Sequence, residues 1–179
     1  MELSGPQWVG RYPTSKSISD LTSPFKENLQ AFYDALIKAG ATVKISATLR
    51  PKQRAFLMHT SFDIAKKTIK PQDAPKLEGV DINWVHASAD ESVKAAQQMV
   101  DGYGIVFRPA YPTKHSTGTA IDMNVSWTGV LKIKLADGTE KVISSTPRDN
   151  SNHDLHVAAN TYNVHKLVTD APHWSDNGH

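Results

Sequence analysis

Between Phe25 and Thr48 the chain changes its hydrophobic period, and that change narrows the folds open to it. Phe25, Leu29, Phe32, Leu36 and Ile37 recur at helical spacing, Gly40 interrupts, and Val43-Lys44-Ile45-Ser46-Ala47-Thr48 then alternates as a half-buried strand. Ser23-Pro24 supplies an N-cap with Pro at the first helical position, and Gly40 a C-cap. An amphipathic helix that turns straight into a strand must bury both on one core.

The mixture recurs downstream. A second helix is predicted from about Pro51 to Lys67, burying Ala55, Leu57, Met58, Phe62 and Ile64. Pro71 and Pro75 make a loop of 70–76, and Val80 to His86 reads as a short extended piece carrying Trp84. Ser88-Ala89-Asp90-Glu91 is a capping box, which opens a helix to about Val100 closed by Gly102 and explains Glu91 as a cap. Val130–Leu135 and Thr139–Ile143 alternate around Asp137-Gly138, a strong hairpin signal. A last helix starts at Ser151-Asn152-His153-Asp154 and runs to about Asn163, after which Val164 to Val168 is extended. The expectation is an α+β fold with a small, mainly antiparallel sheet and packed helices. Residues 1–22 read as an N-terminal arm packed through Trp8, Tyr12 and Pro13, and 23–179 as a single domain.

Composition removes several function classes. Net charge is +2 with 20 basic and 18 acidic residues, and no Lys/Arg run forms a phosphate-tracking groove, so no nucleic-acid partner is expected. No run of 18 apolar residues exists, so no membrane insertion is expected. The N-terminus lacks the basic and apolar regions of a secretory signal. With no cysteine, thiolate zinc sites and iron–sulfur clusters are excluded, and any metal must use His and carboxylates.

One stretch combines such donors. In Thr113-Lys114-His115-Ser116-Thr117-Gly118-Thr119-Ala120-Ile121-Asp122, an imidazole and a carboxylate stand seven residues apart across small residues. Pro109 and Pro112 stiffen the approach to His115, and Met123–Trp127 continues as a strand. One nitrogen and one oxygen donor suit zinc, and a catalytic zinc site takes a third protein ligand. His173 in Asp170-Ala171-Pro172-His173-Trp174-Ser175 is the best candidate, with Asp170 three residues before it as a possible general base. His153 and His156, three apart on a predicted helix, are a rival pair but lack a carboxylate in register. His59, His86 and His165 read as structural or exposed. Arg50 stands at a strand-to-helix corner, where its planar fork suits a carboxylate or a developing oxyanion.

Thr113-x-His115-x-x-Gly118-x-Ala120-x-Asp122 resembles the S-x-H-x-x-G-x-A-x-D signature of the zinc D-Ala-D-Ala peptidases, which phage L-alanyl-D-glutamate endopeptidases share. Asp170-x-x-His173-Trp174 is similar to that family's E-x-x-H-[WF] segment, and Leu49-Arg50-Pro51-Lys52-Gln53 to its upstream G-Y-R-S…Q stretch. The three segments follow family order from about position 25 onward.

The resemblance implies a Hedgehog/DD-peptidase-like fold and a zinc ion held by His115, Asp122 and His173. It further implies Asp170 as acid/base, Arg50 as a catalytic and substrate-binding cation, and Gln53 and Thr113 as substrate-binding residues. The expected activity is hydrolysis of an amide bond in a peptidoglycan stem peptide by a monomer, as an endolysin-type endopeptidase or a carboxypeptidase. Without a signal, delivery to the wall would come from phage lysis or a secretion system. Two departures stand out: Thr113 replaces Ser and keeps the hydroxyl, while Asp170 replaces Glu and is one methylene shorter. No Glu lies near either metal segment. The shorter acid leaves room for an alternative, a catalytically weak or inactive wall-binding module with a structural zinc site.

Overall fold

The computed structural model describes every residue from Met1 to His179. In chain order its elements are β1 (Glu2–Leu3), α1 (Phe25–Lys38), β2 (Thr42–Ala47), α2 (Lys52–Ala65), β3 (Ile82–Asn83), α3 (Ala89–Tyr103), the single turn α4 (Lys114–Thr117), β4 (Ala120–Ser126), β5 (Leu131–Lys134), β6 (Glu140–Ile143), α5 (His153–Thr161), β7 (His165–Lys166) and β8 (His173–Ser175). The fold is α+β, with five helices and small antiparallel sheets. No helix is long and apolar enough to cross a membrane. The chain forms two compact units, one of Met1–Pro13 and Arg50–Thr113, the other of Thr14–Leu49 and Lys114–His179.

The first unit is built on α2 and α3, with Phe56, Leu57, Ile64, Ala96 and Met99 buried together. Residues of the N-terminal stretch belong to this core: β1 pairs in parallel with β3, and Trp8 is 2% exposed. Ser88 caps α3 as its sequence predicts, its Oγ accepting from the Glu91 amide at 3.2 Å. The helix does not close at Gly102. It continues to Tyr103 and ends at Gly104, whose φ of 67° is the left-handed geometry a C-cap requires. Gly102 lies inside the last turn, where Val9 packs too close for any side chain.

The second unit holds a four-stranded antiparallel sheet in the order β2-β4-β8-β7, with β5 and β6 as a separate hairpin around Asp137-Gly138. Helix α1 lays Phe25, Leu29, Phe32 and Leu36 against it, as the helical spacing predicts. Its cap differs from expectation. The Ser23 hydroxyl donates to the Glu27 carboxylate at 2.7 Å instead of receiving a backbone amide.

Strand period two sorts β4 into two faces. Ile121, Met123 and Val125 enter the core, while Asp122, Asn124 and Ser126 face the other way. Strand β8 follows the same rule in register: Trp174 lies opposite Ile121 in the core, and His173 lies opposite Asp122 on the second face. Burying Ile121 and Trp174 thereby puts a carboxylate and an imidazole side by side.

Candidate metal centre

The third donor reaches this face by a different route. His115 lies not on an extended loop but on the helical turn α4, which Gly118 ends with a φ of 73°. The Thr22 amide donates to the Gly118 carbonyl at 2.9 Å, and the Thr22 hydroxyl to Thr117 O at 2.8 Å, so the turn is pinned on both sides of the glycine bend. Lys114 adds an ion pair with Asp176 at 3.0 Å. The result is a His115 ring only 4% exposed.

His115, Asp122 and His173 converge, with their ligating atoms all within 4.8 Å of one another. Nε2 of His115 is 3.1 Å and Nδ1 of His173 3.2 Å from the same oxygen, Oδ1 of Asp122. The two rings meet edge to face, centroids 5.1 Å apart. The far nitrogens are committed elsewhere. Nδ1 of His115 donates to the Thr48 carbonyl at 2.8 Å, and Nε2 of His173 to the main-chain oxygen of His179 at 3.2 Å. A main-chain oxygen only accepts, so each ring spends its N–H there and, when neutral, turns a lone pair toward Asp122.

Two lone pairs and a carboxylate oxygen cannot face one another without positive charge between them. Protons on the rings are one way to supply it. Burial opposes the charged form of Asp122, but hydrogen bonds and charge from His115 and His173 overcome it and hold the carboxyl well below the usual carboxylate range. For His173, burial alone would push the imidazole down. Its bonds to Asp122 and the His179 oxygen, with the charges of Asp122 and Asp170, outweigh that and leave it above the ordinary histidine value.

A metal ion is the other way to meet the demand. Zinc bonds of about 2.0–2.1 Å at tetrahedral angles set donor–donor separations of about 3.3 Å, close to the two spacings around Asp122. Imidazoles whose other N–H is held by a main-chain oxygen are the usual form of His ligands. The three residues could hold a metal ion, the two spacings to Asp122 being close to the zinc value and all three ligating atoms lying within 4.8 Å of one another.

The remaining sequence candidates fall outside this trio. Asp170 is exposed on the turn before β8 and acts on His173 and Lys166 through its charge. Arg50, Gln53 and Thr113 are partly buried and belong to the first unit, Arg50 just before Pro51 at the start of α2. The rival histidines are engaged otherwise: His156 bonds the Asn150 carbonyl at 2.6 Å and stacks edge-on against Trp174, and His153 is exposed. His59 bonds Pro109 O at 2.7 Å, His86 bonds Ser4 and His165 bonds Asn160.

Sequence reasoning passed over the groups that orient the site: the carbonyl of Thr48, the main-chain oxygen of His179, and the side chains of Lys166 and Asn150. Backbone acceptors carry no sequence signal, and a lone Lys or Asn in a short segment has no spacing to mark it. No family model matches the chain, and a search of curated proteins finds no match.

Proposed function

We propose that this chain is a zinc-dependent peptidoglycan peptidase that hydrolyses an amide bond in cell-wall stem peptides. One observation carries the reading: His115, Asp122 and His173 meet with both imidazoles already oriented by main-chain oxygens. Three protein donors is the number a catalytic zinc site draws from its chain. The resemblance of both donor segments to the zinc D-Ala-D-Ala peptidases, in the same order, supports the substrate class. A Hedgehog/DD-peptidase-like arrangement is part of this proposal, and the antiparallel sheet carrying Asp122 and His173 supports it.

Zinc, when bound, supplies a Lewis acid that acidifies water and polarises a peptide carbonyl. The chain's own residues do the rest. Asp122 brings negative charge, and the two neutral imidazoles bring lone pairs, so the donor set keeps a net positive charge on the ion. Asp170, exposed beside His173, accepts a proton from the attacking water at its carboxylate and returns one to the leaving amine. The family resemblance alone assigns Arg50 to a substrate carboxylate or the oxyanion, and Gln53 and Thr113 to substrate binding.

The test is digestion of purified sacculi by the zinc-loaded protein, with new amines counted and muropeptides weighed by mass spectrometry. The expected result is zinc-dependent amine release at one type of bond, lost in Asp170→Asn with zinc retained. Undiminished turnover in Asp170→Asn would remove Asp170 from the mechanism. Sacculi bound without products at full zinc loading would replace the peptidase with a wall-binding module that has a structural metal.

A further inference from the structure

The turn from Leu167 to His173 carries both Asp170 and the third metal donor, and a single ammonium ties it together. Lys166 lies on β7, paired with Trp174 of β8. Its Nζ donates to the carbonyls of Leu167 at 2.6 Å and His173 at 3.2 Å, and to that of Asp170. Three protons meet three main-chain oxygens. The ammonium is partly buried and sits 5.6 Å from the Trp174 ring centroid, so its charge is shielded from water on one side.

Two further carbonyls, those of Ala171 and Pro172, are also engaged. Ala171 O accepts from Nδ2 of Asn150 at 2.8 Å, and Pro172 O from the Met123 amide at 2.8 Å. Asp170 O accepts the His173 amide as well, at 3.1 Å. Every carbonyl from Asp170 to His173 is therefore fixed. The Asp170 carboxylate itself is exposed, so its aim comes from the main chain beneath it.

A lysine is an unusual choice if stability were the sole requirement. Desolvating an ammonium is costly, and an apolar residue packed on Trp174 would avoid it. Only a group with several donors can pull three carbonyls of one turn toward a single point. We propose that Lys166 is a positioning residue, holding the Asp170–His173 turn so that the acid/base carboxylate and the third metal donor keep their working separation. This inference rests on the peptidase reading above. Displacement of a reacting group by about 1 Å can lower a rate by about 10²-fold, which sets the size of effect to look for.

The chain contains no cysteine, so Lys166→Cys creates a single addressable thiol. Alkylation with bromoethylamine then rebuilds an ammonium of nearly lysine length, and iodoacetamide gives a neutral adduct of similar size. Assays on sacculi, with zinc content measured in each sample, should show K166C with kcat reduced about 10–100-fold and KM and zinc stoichiometry retained. Aminoethylation should restore kcat, and the neutral adduct should not. The cobalt-substituted protein offers a second readout: its absorption bands should shift in K166C and return on aminoethylation.

A kcat for K166C within about twofold of the parent, or equal rescue by both adducts, would overturn the proposal. Should K166C fail to fold, Lys166→Arg decides. It keeps charge and donors, and a folded, zinc-loaded K166R no more active than a folded K166M would also overturn it. A parent protein that binds no zinc and releases no amines would defeat the peptidase reading itself, so the two failures are distinguishable.

Discussion

Asp122 and His173 are directly opposed on adjacent antiparallel strands, and their side chains meet at 3.2 Å on the face turned away from the core. The juxtaposition of these two candidate donors is thus a by-product of strand register. A slip of one residue in β8 would send His173 into the core and expose Trp174.

Zinc should stabilise the fold through these donors. At a free zinc concentration of about 100 times Kd the gain is about 2.7 kcal/mol, or roughly 5–10 °C in midpoint for a chain of this size. Asp122→Ala should abolish the rise, because it removes the donor shared by both imidazoles. Affinity should fall as pH drops, since protons compete for the same imidazoles. Differential scanning calorimetry with and without chelator checks both; an equal zinc-induced rise in D122A would count against the assigned ligands.

Gly118 should tolerate no side chain. Its φ of 73° is unfavourable for other residues, and a Cβ there would collide with the Thr22 hydroxyl and crowd the Thr22 amide. Gly118→Ala is expected to lose about 1–3 kcal/mol and to weaken zinc binding, because it displaces the turn that carries His115. Urea denaturation and zinc titration should move together.

Asp63 carries a pH-dependent share of stability. Its carboxylate takes two bonds of 2.7 Å from the Arg108 guanidinium, and these, with the nearby His59, hold its pKa below the ordinary value against the opposing effect of burial. A depressed folded pKa means the contribution is complete above the unfolded value of about 3.9 and disappears as pH falls through the folded one. Asp63→Asn should therefore be less stable than the parent near neutrality, by about 1–2 kcal/mol given that Arg108 is half exposed. The gap should close as pH falls through the depressed pKa of the folded carboxyl. Chemical denaturation at both ends of that range measures it.

Asn150, in the turn before α5, should be the costliest polar residue to replace beside the sheet that carries Asp122 and His173. Its buried carboxamide accepts from the Val125 amide at 2.7 Å and shares its two protons among Met123 O, Asn124 Oδ1 and Ala171 O. Asn150→Ala strands several of these groups and is expected to cost about 2–4 kcal/mol. A thermal melt unchanged from the parent would contradict the bonding described.

The parts of the fold that were legible in sequence are those with a local period. Phe25 to Leu36 and the alternation around Asp137-Gly138 gave α1 and the hairpin because each segment's burial pattern repeats within itself. His115, Asp122 and His173 were singled out by residue type and spacing, and the structure brings them together. What was not legible depends on distant partners. Gly104 takes the left-handed cap while Gly102 stays helical against Val9, and two glycines two residues apart give no local sign of which does which. The division into two units follows from pairings such as β1 with β3, which no local pattern encodes. Thr48 reads as the end of a strand, and nothing in its identity announces that its carbonyl orients His115.

Sheet order also dictates when the candidate donor set can be completed. Strand β8 sits between β4 and β7, and His173 trails Asp122 by 51 residues. On the ribosome the donor set stays incomplete until that late segment has emerged and slotted into place. On the proposed reading an ion would therefore meet its third donor only once β8 has paired with β4, and a nascent chain halted before β8 would offer it two donors instead of three.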